Sequence, residues 1–328
     1  MTVLAITGIG GFIGLRMCER AQALGWTVRG LDHTEVAADR ARALGVEVVV
    51  ADINDGAALR DLFTGVDRVF HTAAVVAEDG RASDYRRVNV TGTDSVCSAA
   101  AEAGVKRLVH LSSVMVYGFD YLPEVDEEQP LNGQGNVYSE SKVASDLLAR
   151  GWNGSGGLEV VVVRPGDVYG VGSQPWLERP LALLRKRLFA LPAGTGVINH
   201  VHVDNLIDGV LLAFEHSSAG GEAFNITDGV ATPCATFFQY HATMAERPLM
   251  RLPAPLLTAL IGLMEIAARL LGQSPPASRA GIRFLQRRHR YSTEKARNML
   301  GYRPRISLDE GMADIAQRLG KGPIHKEN

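Results

Sequence analysis

Cysteine is scarce: Cys18, Cys97 and Cys234 are the three present, far apart and in no CxxC pair. That spacing suggests neither a disulfide framework nor a thiolate metal site, and it fits a reducing, cytoplasmic setting. A dominant charge sign is also missing. The 34 Lys and Arg residues against 36 Asp and Glu leave a net charge of -2, with both signs interspersed. No field therefore gathers phosphate backbones, and nucleic acid is not an expected partner. The start, MTVLAITGIG, has no basic leader; its short apolar run ends in glycine and reads as a buried strand.

Long hydrophobic runs are nearly absent. In residues 256–271 the polar members are Thr258, Glu265 and Arg269. At 3.6 residues per turn these fall on one narrow stripe, with Glu265 and Arg269 spaced for an i,i+4 pair. The pattern predicts an amphipathic helix packed on the core or a lobe. Peripheral contact with a membrane surface is the second reading, and a span, which needs about 20 apolar residues, the least favoured.

What is present is strand and helix in alternation. The 328 residues, 46% hydrophobic, suffice for a large domain plus a smaller lobe. Strand-length runs occur at VLAIT (3–7), WTVRGLD (26–32), VEVVVAD (46–52), DRVFHTA (67–73), RLVHLSS (107–113) and LEVVVVRP (158–165), with helical periods such as 12–24 and 85–103 between them. Alternation of this kind predicts an α/β fold, a doubly wound parallel (Rossmann) sheet buried on both faces. After Pro165 the rhythm breaks, and VINHVHVD and EAFNIT read as brief returns to the sheet. The expected division is a dinucleotide-binding domain over 1–165 with returns near 197–228, an interleaved substrate lobe over 166–196 and 229–320, and a polar tail over 321–328.

Directly after the first run stands Thr7-Gly-Ile-Gly-Gly-Phe-Ile-Gly14, so Gly8, Gly11 and Gly14 are spaced GxxGxxG. With 35 glycines in the chain the spacing is weak alone. Its position between strand and helix is what counts, because backbone N–H groups there can approach a pyrophosphate at the positive helix end. Asp32 ends the second run 18 residues after Gly14, near the offset at which a carboxylate binds adenosine ribose hydroxyls. NAD is therefore favoured, although Arg29, His33, Arg40 or Arg42 could pair with the 2′-phosphate of NADP.

Tyr138 and Lys142, in YSESK, lie one helical turn apart on one face. A nearby cation stabilises a phenolate and moves its pKa toward the working pH. The pair follows Leu111-Ser112-Ser113, at the carboxyl end of a run, where ligands of such sheets bind. Ser113, in preference to Ser112, is the candidate for holding a substrate oxygen.

These pieces, with Ala51-Asp-Ile53, His71-Thr-Ala-Ala74, Asn89-Val-Thr-Gly-Thr93, Arg164-Pro-Gly-Asp-Val-Tyr-Gly170, His202-Val-Asp-Asn205, Phe224-Asn-Ile-Thr-Asp228 and Tyr302-Arg-Pro304, run nearly end to end. Together they resemble the extended short-chain dehydrogenases/reductases, the family of nucleotide-sugar epimerases and 3β-hydroxysteroid dehydrogenases. The resemblance implies that Tyr138 is the general acid/base, that Lys142 lowers its pKa and binds the nicotinamide ribose, and that Ser113 orients the reacting oxygen. It implies a cofactor site of Gly8, Gly11, Phe12, Ile13, Gly14 and Asp32, with Asp52 and Ile53 flanking the adenine and Ala73, Ala74 and Pro165 bordering the cleft. Asn89 either shapes the helix beside the site or is a structural hydrogen-bonder. His202 and Asp204 are expected as satisfied fold residues. A homodimer is common in the family.

The substrate follows from the lobe rather than the fold. Trp176, Leu177, Leu181, Leu183, Leu184, Leu188, Phe189 and the 256–271 helix suggest an apolar lining, whereas Arg179, Arg185, Lys186 and Arg187 could hold a diphosphate. The expectation is interconversion of a secondary alcohol and ketone on a hydrophobic, steroid-like molecule. The alternatives are a nucleotide-sugar epimerase or dehydratase with tightly held NAD, and a dinucleotide sensor without turnover.

Overall fold

A computed structural model describes residues 1–76, 81–119, 123–194, 196–270 and 279–321. The first six runs all form strands: β1 (Val3–Thr7), β2 (Thr27–Asp32), β3 (Glu47–Val50), β4 (Arg68–His71), β5 (Arg107–Leu111) and β6 (Glu159–Pro165). With β7 (Ala223–Ile226) they make one parallel sheet in the order β7-β6-β5-β4-β1-β2-β3. The chain winds outward from β1 to β3 on one side, then crosses back to β4 and continues to β7 on the other. The order of winding therefore reverses at the β1–β4 seam, where the carboxyl ends open a crevice.

Side chains alternate across this sheet. Leu4, Ile6, Val161 and Val163 face α1 (Phe12–Ala23) and α6 (Val203–Glu215), packing with Met17, Leu206 and Val210. Ala5, Val160 and Val162 face the opposite layer, formed by α3 (Gly56–Phe63), α4 (Gly92–Glu102) and α5 (Val137–Gly151), with Leu59, Val96 and Ala149. Burial on both faces is what the unbroken valine run required. The helix Glu35–Arg42, here α2, lies beside β2 and β3.

One expectation is corrected. Of the two segments read as returning to the sheet, only Ala223–Ile226 joins it; His200–His202 pairs instead with Asp167–Tyr169 in a separate parallel ribbon. Short runs of valine and histidine carry no signal of which partner strand they meet. Outside the sheet, Leu177, Leu181 and Leu184 pack with Phe237, Phe238, Met312 and Ile315 into a second core. Pro275, Pro276, Leu271 and the tail beyond Lys321 lie outside the described residues, as does the side chain of Arg269. Among the described residues no helix is long and apolar enough to cross a membrane.

Candidate active site

The glycine turn closes tightly at the switch point. Gly8 has φ +72°, and a Cβ there would stand 2.9 Å from the Ala73 backbone; one at Gly14 would stand 2.4 Å from the Gly8 carbonyl oxygen. Gly11 caps α1 with no side-chain hydrogen bond, and Phe12 packs its ring beside Gly170 and Gly172 while Ile13 packs into the core. The first-turn N–H groups are thus left facing the crevice, an arrangement that fits a pyrophosphate. Gly10 has a different task, which the spacing did not reveal. A Cβ on it would lie 2.1 Å from the Ala37 carbonyl oxygen, so its bareness lets α2 approach.

Asp32 is buried, and its carboxylate accepts N–H groups from Gly10 at 2.9 Å and His33 at 2.8 Å. It therefore braces the turn, with lone pairs left over for a further donor. Two of the cations that could favour a 2′-phosphate are engaged: Arg29 donates to the Thr64 carbonyl and Arg42 to Glu35 and Asp39. Asp52 pairs with Arg87 and accepts from Asn54. Ile53 packs inward against Gly92, and Pro165 closes β6 beside Ile226. Ala73 and Ala74 follow β4, half-buried.

Tyr138 and Lys142 lie on α5, whose N-cap Asn136 accepts the Ser139 N–H. The Tyr138 phenol shares a hydrogen bond with Ser113. Ser112 points elsewhere, its hydroxyl 2.6 Å from Asp146. Lys142 is buried and donates to the Leu111 carbonyl oxygen at 2.7 Å. Burial pushes the phenol up to about 12, partly offset by Ser113, and pushes the ammonium down to about 8, partly offset by Asp146. Burial and the neighbouring Tyr85 raise the phenol, and the Ser113 hydrogen bond is what lowers it. At neutral pH Tyr138 is a protonated donor.

Two of three further features escaped the sequence reading, and one, Asn89, it had left open. Asp146, a further turn along the Tyr138–Lys142 face, grips buried Arg164 through two hydrogen bonds of 2.8 and 2.9 Å, and Arg164 continues to Tyr117 and Asn225. The i, i+4, i+8 spacing was its available signal. Asn89 sits in a π-helical turn, Arg86–Thr91, exchanging bonds with the Val75 backbone and donating to Ser141, which in turn donates to the Tyr138 carbonyl. Both readings of Asn89 meet there. His202 caps α6 and Asp204 pairs with Arg16, so both are satisfied as expected.

The third is a run of buried neutral histidines. His71 bridges Thr7 and Thr93, and burial takes it down to about 3; His110, His202 and His241 are lowered too, burial being the main cause. A histidine lowered on folding takes its proton first in the unfolded chain. Its contribution is complete above the ordinary value of 6.5 and is lost as pH falls toward the folded value. Each costs about 1.4 kcal/mol per pH unit in that window. Glu127 and Asp167, raised by burial, offset part of it. Urea midpoints are expected to drop steadily from pH 6.5 to 4; a flat profile contradicts the neutral assignment.

Of the lobe leucines, Leu177, Leu181 and Leu184 fill the second core, whereas Leu188 is exposed. Three aromatic rings meet elsewhere: Phe284 stands 5.4 Å from Trp176 and 6.3 Å from Phe119, and the Phe119 N–H donates to Gln134, four residues before Tyr138. Arg185, Lys186 and Arg187 are exposed at a helix end.

A Rossmann crevice bearing a bare glycine turn, a buried lysine and a Ser–Tyr pair defines a dinucleotide-dependent oxidoreductase. The chain belongs to the NAD dependent epimerase/dehydratase family, which it matches over residues 4–227. It is an NAD-dependent enzyme of the extended short-chain type. It is similar to a 4-hydroxy-2-methyl-3-oxo-4-farnesyl-3,4-dihydroquinoline-1-oxide ketoreductase of Stigmatella aurantiaca, at 29% identity over 95% of each chain. A 3-beta-hydroxysteroid dehydrogenase of Mycolicibacterium neoaurum is 28% identical over 94% of this chain and 89% of its own. Among solved structures, a UDP-glucuronic acid 4-epimerase from Bacillus cereus, in complex with UDP-glucuronic acid and NAD, superposes with a TM-score of 0.77 at 20% identity, covering 97% of this chain and 100% of that one. That likeness is one of fold.

Proposed function

We propose that this enzyme interconverts a secondary alcohol and a ketone on a hydrophobic, polycyclic or prenylated substrate. The observation that carries the reading is the Ser113–Tyr138 hydrogen bond, with the aromatic group of Phe119, Trp176 and Phe284 tied through Gln134 to the segment that leads into α5. Ser113 fixes the reacting oxygen. Tyr138 gives that oxygen a proton in reduction and takes it back in oxidation. Lys142, one turn on, is assigned to the nicotinamide ribose, while Asp32 takes the adenosine ribose and the α1 N-terminus the pyrophosphate. NAD, when bound, supplies the two-electron acceptor or donor.

The substrate class draws support from two further points. The two curated relatives above, whose names carry a steroid and a farnesyl quinoline, align along nearly the whole chain. The exposed Arg185–Arg187 cluster lies at the end of Arg179–Arg185, away from Tyr138's segment, and offers no buried cradle for a diphosphate. The test is the reduced-nicotinamide absorbance band with NAD or NADP and a panel of hydroxysteroids, prenylated ketones and UDP-sugars. Net redox change with an apolar alcohol or ketone is the expected result. Conversion of a UDP-sugar without net redox change overturns it.

A further inference from the structure

The helix Ala254–Leu270 lies in an unexpected orientation. Leu257 and Ile261 pack on Ala190, Leu252 and Ile282, and Ala268 is buried along the same side. The polar stripe adjoins that inner side: Thr258 donates to the Ala254 carbonyl, and Glu265 takes Arg279 at 2.8 Å. The apolar face is turned outward. Leu256, Leu260, Leu263, Met264, Ile266 and Leu270 are all exposed, with Leu263 at 65%, Ile266 at 56% and Leu270 at 83%. At 100° per residue these six fall within about half the helix circumference, and no described charged side chain shares that arc.

Cations collect beside it. The helix rests on a two-stranded parallel ribbon, Ala190–Ala193 with Met250–Pro253, in which Ala190 is opposite Met250. Because the strands are parallel, the segments entering them meet at one end. These segments carry Arg185, Lys186, Arg187 and exposed Leu188 on one side, and Arg247, exposed Met250 and Arg251 on the other. Five exposed cations gather there against one exposed carboxylate, Glu246, which is itself paired with Lys321, in a chain whose net charge is -2. Apolar side chains offered outward beside a basic rim match a surface that is negative at its headgroups and apolar beneath them.

We propose that this face docks on an anionic lipid bilayer, with the helix lying in the headgroup plane. Such docking does not depend on which substrate the enzyme takes. Co-sedimentation of the full chain with phosphatidylcholine vesicles, with and without phosphatidylglycerol, tests it. The expected result is at least tenfold stronger partitioning onto the phosphatidylglycerol vesicles, weakened by salt. It should be lost in Leu263→Glu/Ile266→Glu and reduced in Arg187→Glu/Arg251→Glu, with thermal midpoints close to that of the parent. No sedimentation of the parent protein with either vesicle overturns the proposal. So does equal sedimentation of the Leu263→Glu/Ile266→Glu variant, or light scattering that finds a dimer which this variant splits, since a second copy would then be the occupant.

Discussion

Tyr138→Phe is expected to lower turnover by about 10²–10⁴-fold, the range that a positioned proton donor contributes. The substitution removes one oxygen and keeps the ring, which stands edge-on to Tyr85 at 6.4 Å. What is lost is the bond to Ser113 and the proton itself. Dinucleotide affinity should change by no more than about fivefold, since the glycine turn and Asp32 are left intact and a lost hydrogen bond is worth about 1 kcal/mol. Steady-state rates in both directions, with calorimetric titration of NAD, check both parts. Turnover near the parent value removes Tyr138 from the mechanism.

Asp146→Ala is expected to cost about 3–5 kcal/mol of stability, the penalty for leaving a buried partner charge uncompensated. Arg164 sits at 1% side-chain exposure and Asp146 at 0%, so water cannot replace the lost carboxylate without opening the core. The damage should reach the site as well. Asp146 lies one turn beyond Lys142 and holds Ser112, the neighbour of Ser113. Urea unfolding gives the stability change; a loss below 1 kcal/mol means the pair does not clamp α5 to β6.

How far the sequence could be read depended on how local the pattern was. β-branched runs located all six early strands, and the four-residue step from Tyr138 to Lys142 placed both on one face of α5. Contacts between distant residues were hidden. Nothing near Gly10 announces that Ala37 will press against it, and nothing in VINHVHVD says that His200–His202 will pair with Asp167–Tyr169. The helix at Ala254–Leu270 was legible as amphipathic, but periodicity fixes only that two faces differ, and which one turns inward is decided by the ribbon beneath it. The pKa balance of Tyr138 and Lys142 was hidden for a related reason, since charge spacing is written in the sequence and depth of burial is not.

The clamps around Tyr138 have a consequence for how such an enzyme diverges. Leu111, Asn89, Ser141, Asp146 and Arg164 all come from the first 165 residues, with Asn225 of β7 the late addition. On the proposed assignment, proton handling is thus secured by the segments that build the sheet, while Trp176 and Phe284 belong to segments that share few of those bonds. Insertions and exchanges in the lobe can redraw which molecule is accepted and leave the acid/base geometry untouched, so selection can act on the two properties separately.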